Sequence, residues 1–76
     1  MIMEAIFLGL RTTRGIDLIR FAKMFGLNFI KTYERKIAGL GKDGLLELTN
    51  THCALTPKGM AYLDSIAAIF TGQDFP

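Results

Sequence analysis

The sequence predicts a mainly α fold with a small β-hairpin, an α+β domain of about four helices and two strands. Three observations predict it. Apolar residues recur at helical spacing in four stretches, most of them opened by a capping residue or closed by glycine. Two short apolar runs, 45–48 and 53–55, flank the polar tetrapeptide Thr49-Asn50-Thr51-His52, which is a hairpin pattern. Finally, the chain has 76 residues, half of them apolar and 21% charged, a composition of one small globular domain and not of a disordered chain.

The first helix is Ile2 to Leu10, apolar at nearly every position except Glu4 and Gly9. A helix so apolar around its circumference wants cover on more than one side. In a body this small the second layer is expected from a partner, and Met1 reads as an expression start or fragment boundary. Arg11 to Gly15 interrupts the pattern, because two β-branched threonines weaken a helix and Gly15 supplies backbone freedom. Asp17 then caps a second helix reaching Phe25, with Leu18, Phe21, Ala22 and Phe25 on one face and Gly26 as its terminator.

Asn28 caps a third helix with Phe29, Ile30, Tyr33, Ile37 and Leu40 inward, closed by Gly39, Gly41 and Gly44. After the hairpin, Thr56-Pro57 starts the last helix, since threonine caps and proline is tolerated at the first helical position. That helix runs to about Phe70 with Met60, Leu63, Ile66, Ala67 and Phe70 inward, and Gly59 allows close approach in its first turn. Residues 1–70 thus read as one domain, winged-helix-like in its element order, and the tail 71–76, TGQDFP, is expected to be loose.

Several function classes find little support. A net charge of +2 implies no nucleic-acid partner unless it is concentrated in a patch. The third helix does offer Lys31, Thr32, Arg35 and Lys36, as a free-standing winged-helix DNA-binding regulator requires. Yet Glu34 shares that region, and the hairpin tip carries no lysine or arginine for a phosphate, so ordinary solvated charges explain the same residues. The apolar start is well under the ~20 residues needed to cross a bilayer and lacks a basic leader, so neither a membrane span nor a signal peptide is expected. One cysteine, Cys53, forms no internal disulfide and no metal site by itself, and an intracellular, cytoplasmic setting follows as the expectation.

Catalytic motifs are equally sparse. His52 and Cys53 are adjacent, and adjacent strand residues point to opposite faces, which argues for a solvated loop histidine beside a core thiol and against a nucleophilic pair. The acidic residues are dispersed, and neither a dinucleotide fingerprint nor a P-loop occurs. The most site-like stretch is Arg11-Thr12-Thr13-Arg14-Gly15. Two guanidiniums and two hydroxyls around a glycine, near the start of a helix, suit a carboxylate or phosphate. Read from the residues alone, the plainer account is a polar interhelical loop in which Arg11 meets the last carbonyls of the first helix.

The segment FLGLRTTRGIDLIRFAKMFG, followed by a helix, GLLEL and LTPKGMAYLDSI, resembles the C-terminal domain of oxygen-independent coproporphyrinogen III oxidases and the related haem chaperone-like radical S-adenosylmethionine proteins. The matching positions are Leu10, Arg11, Gly15, Ile16, Asp17, Leu45, Leu46, Leu55, Thr56 and Gly59; a frequent acidic residue before the glycine is Arg14 here. The resemblance implies an accessory domain, not catalytic alone, whose parent carries a 4Fe-4S cluster and S-adenosylmethionine in an N-terminal barrel. That barrel is the implied partner, with porphyrinogen or haem reached through the parent. It further implies tetrapyrrole-carboxylate or domain-interface binding by Arg11, Thr12 and Gly15. The cluster motif C-x-x-x-C-x-x-C is absent, so this chain does not hold the cluster.

Overall fold

Helix α1 (Ile2–Leu10) opens the computed structural model, which describes residues 2–72. Ile6 and Leu10, four apart on one helical face, are completely buried, whereas Met3, Glu4 and Leu8 are exposed. The expected cover thus reaches one side of α1, supplied by the last helix and the sheet.

The chain next forms strand β1 (Ile16–Asp17), which was not among the two expected strands, Asp17 having been expected only as a helix cap. Two residues are too few to show any alternation, and what makes them a strand is antiparallel pairing with a distant segment: Ile16 opposes Cys53 and Asp17 opposes His52. Helix α2 (Leu18–Phe25) follows as predicted. Asp17 Oδ1 accepts the Arg20 N–H at 3.0 Å, and Gly26, at φ +66°, donates its N–H to the Ala22 carbonyl at 2.8 Å. Phe21 is buried and Leu18 and Phe25 half-buried, but Ala22, expected inward, is exposed.

The expected third helix is two helices. Asn28 caps α3 (Phe29–Thr32) through the Lys31 N–H, and the chain then bends at Tyr33 (φ −113°, ψ 29°) into α4 (Glu34–Lys42). No proline or glycine marks the bend; the Tyr33 ring sits 5.0 Å from Phe29 and 5.5 Å from Phe70, so core packing governs it. Gly39 and Gly41 lie inside α4 and do not close it; Gly44, at φ +74°, turns the chain.

Strands β2 (Leu46–Leu48) and β3 (His52–Leu55) form the hairpin, with Leu48 opposite Cys53 and Leu46 opposite Leu55. His52 belongs to the strand and not to the loop, and β3 is the middle strand of a three-stranded sheet ordered β1-β3-β2. The predicted two-stranded hairpin is therefore completed by β1 on its free edge.

Thr56 caps α5 (Pro57–Met60), and Gly59 is pressed against the Leu45 backbone so closely that a Cβ would collide with the Leu45 carbonyl. The chain bends again at Ala61 and Tyr62 before α6 (Leu63–Thr71), so the expected last helix is also two. Ile66, Ala67 and Phe70 are buried as predicted, and Met60 and Leu63 are half-buried. The first residue of the expected loose tail, Thr71, belongs instead to α6 and Gly72 caps it, while residues 73–76 of that tail lie outside the described residues.

The core runs between the helices and the sheet. Phe29 stands at its centre, 5.1 Å from the Phe21 ring and stacked 5.5 Å from Phe70.

Candidate functional site

The corner between α1 and β1 contains all three residues singled out in the sequence. Thr12 organises it. Its N–H and its hydroxyl both donate to the Gly9 carbonyl, at 3.2 and 2.9 Å, and the hydroxyl accepts the Gly15 N–H at 3.0 Å. A single side chain thus ends α1 and sets the turn into β1. Gly15 adopts φ +83°, and a Cβ there would run into the Cys53 carbonyl and lie 2.6 Å from Ala54 Cα. The corner is seated directly on the backbone of β3.

Thr12 and Gly15 are therefore hydrogen-bonded to each other, and the Arg11 side chain takes no part in that bond. Its guanidinium carbon stands 5.6 Å from the centroid of the half-buried Phe7 ring, and Arg11 itself is exposed. Arg14 and Thr13 are exposed as well. Beside the corner, a cleft of about 320 Å³ opens between α1 and α2, lined by Leu8, Thr12, Ile16, Arg20, Phe21 and Met24 among others. The arginine lining it is Arg20, a residue that sequence reasoning passed over. The available signal was its place three residues after the Asp17 cap, in the first turn of α2.

Backbone donors at the start of α2 are largely taken. The Arg20 N–H goes to Asp17, and the Leu18 N–H goes to the Thr51 carbonyl at 2.9 Å. The anion-receiving arrangement expected near this helix start is already filled by the chain's own carboxylate and hairpin. Asp17 is held below the ordinary carboxylate value, first by the Arg20 N–H it accepts and further by His52, whose Nε2 lies 4.0 Å from Oδ2. His52 Nδ1 shares a 2.8 Å hydrogen bond with the Thr51 hydroxyl. The histidine thus ties the hairpin to the end of β1.

Cys53 faces the other way, as strand geometry predicts. It is fully buried, and burial pushes its thiol up to about 12, so it packs as a small apolar group and makes no nucleophilic pair with His52. Among the described residues no group of three or more histidine, cysteine or acidic side chains is placed to hold a metal. No helix among them is long and apolar enough to cross a membrane.

The basic face considered for nucleic acid has Lys31, Thr32 and Arg35 exposed beside Glu34, while Lys36 lies 5.7 Å from the Tyr33 ring. Glu34 interrupts that face, and residues 49–51 of the hairpin turn carry no charge.

No curated protein and no solved structure matches the chain. The family model described as the HemN C-terminal domain matches residues 1–62, from α1 through the bend after α5. The match takes in the α1–β1 corner, Asp17 with its helix, the hairpin and the Thr56 cap, and it favours an accessory domain over a DNA-binding regulator. A match over so much of a 76-residue chain, on a mainly helical fold with a small antiparallel sheet, shows that the chain belongs to the HemN C-terminal domain family.

Proposed function

We propose that the chain acts as the accessory C-terminal domain of an oxygen-independent coproporphyrinogen III oxidase-like radical S-adenosylmethionine protein, packing on the catalytic barrel and helping to shape its tetrapyrrole site. The observation that carries this reading is the family match over residues 1–62. The same reading implies a cytoplasmic setting and a role in porphyrin or haem metabolism.

The residues present do not fit the cluster that such a parent carries. A site-differentiated 4Fe-4S cluster needs three thiolates, whereas this chain has one cysteine, and that thiol is buried and held protonated. Cluster and S-adenosylmethionine chemistry would thus belong to the barrel, and this domain's part is binding and shape.

Within that part, Arg11 is assigned to a tetrapyrrole propionate or to the barrel surface, with Thr12 and Gly15 holding the corner that presents it. The only acid–base side-chain pair within 4.0 Å among the described residues is His52–Asp17, so the Arg11 guanidinium is left with no carboxylate among them. A guanidinium fork suits a carboxylate through two parallel hydrogen bonds. The test uses the full-length protein. Arg11→Ala is expected to weaken haem affinity or slow porphyrinogen turnover, with Arg11→Lys recovering only part of the loss. Unchanged values for both activities would remove Arg11 from the assignment. A native gene product of only 8.4 kDa, read by immunoblot of a source lysate, would overturn the accessory-domain reading itself.

A further inference from the structure

Helix α2 stands as a ridge between two depressions. On one side is the cleft shared with α1; on the other is a groove of about 580 Å³ shared with α3 and the hairpin turn, lined in part by Ile19, Lys23, Leu27 and Asn50. Large apolar side chains concentrate along this ridge and its rims: Ile19 is 57% exposed, Met24 60%, Leu8 50% and Leu27 36%. Four of the seven exposed large apolar residues among the described ones gather here, which is patchy and not scattered. The helix also carries Arg20 and Lys23 and no carboxylate. The one carboxylate lining either depression or the surface between them, Asp17, already accepts the Arg20 N–H and faces His52.

We propose that the α2 ridge and its two flanking depressions form a docking surface for an apolar protein segment fringed with carboxylates. Concavity and charge together select that occupant. Depressions on both sides of a helix receive protruding side chains, as in helix-in-groove recognition, and the two cations between them require acidic groups on the facing surface. A second copy of this chain fits poorly, because it brings a second Arg20 and Lys23 to the contact with Asp17 as the only lining carboxylate to answer them. A lipid surface also fits poorly, since a bilayer fills no pair of depressions and Asp17 stands at the end of the ridge.

The test titrates the 76-residue chain, followed by amide NMR, with three helical peptides that share leucine anchors at i, i+3 and i+7 and differ only in having Glu, Gln or Lys beside them. The Glu peptide is expected to bind tightest, to shift amides along α2 and near Leu8, and to weaken as salt rises. Arg20 and Lys23 are both exposed, so the Arg20→Glu, Lys23→Glu double variant keeps its fold, which circular dichroism verifies. It is expected to lose about tenfold in affinity for the Glu peptide and to turn its preference to the Lys peptide. Equal binding of the Glu and Gln peptides, indifference to the double variant, binding only to phosphatidylglycerol vesicles, or self-association through this face would each overturn the proposal. None of these outcomes touches the family reading, which the size of the native gene product decides separately.

Discussion

Gly15 shows what one residue can hold in place. Its φ of +83° is a conformation that a side chain strains, and the space a methyl group needs is occupied by the β3 backbone at Cys53 and Ala54. Both costs act together in Gly15→Ala, which is expected to destabilise the fold by about 2–4 kcal/mol, read from denaturant unfolding. A variant as stable as the parent would mean that corner and strand separate without cost. The glycine was legible in the sequence as the point where α1 cannot continue, but its reason was not, because the atoms that exclude a side chain come from a strand far along the chain. Arg11 and Arg20 tell the same story in reverse: the arginine that the motif singled out rests its guanidinium over Phe7, and the unremarked residue lines the cleft.

Among the elements, helix starts were the most legible features. Asp17, Asn28 and Thr56 each cap the helix that follows, accepting the backbone N–H three residues on. Thr56 also reaches outside its own element, donating its hydroxyl to the Gly44 carbonyl at 2.7 Å and so tying α5 to the turn before β2. Thr56→Ala is expected to cost about 1–2 kcal/mol, and Thr56→Ser, which keeps both hydrogen bonds, only a fraction of that. Equal losses in the two variants, measured by thermal unfolding, would assign the effect to the methyl group instead. The bends at Tyr33 and Tyr62 were not legible, since neither carries a proline or glycine; at Tyr33 the backbone hydrogen bonds continue past the bend, from Tyr33 N–H to Phe29 and from Ile37 N–H to Tyr33.

For the whole molecule, Asp17 joins three elements, ending β1, capping α2 and facing His52 on β3. Its folded value lies below the unfolded 3.8, so the stability it contributes is present above that value and is lost as pH falls through the folded one. Asn also caps helices, so Asp17→Asn removes the charge and keeps the hydrogen bond. The parent's advantage in melting temperature over this variant is therefore expected at neutral pH and to shrink in strong acid. An advantage that stays constant across that range would show that the charge plays no part. The apolar first helix also predicted at this scale a surface for a partner to cover, and Leu8, Ile19 and Met24 are among the large apolar side chains left exposed. The prediction named α1 alone, because α2 has a clear core face and its outer apolar residues look incidental until the helix is seen to stand between two depressions.

By itself the sequence determined the helix starts, the hairpin, the core-facing thiol of Cys53 and the family resemblance. Each of these rests on residue types at short, fixed spacing, where a cap or a turn closes its hydrogen bonds within a few residues. Only the tertiary structure decided that β1 exists, that two helices become four, and that Arg20 and not Arg11 lines the cleft. Those outcomes depend on which distant surfaces meet. The pairing of Ile16 with Cys53 and the packing of Tyr33 on Phe70 are matters of shape between segments that no local spacing encodes.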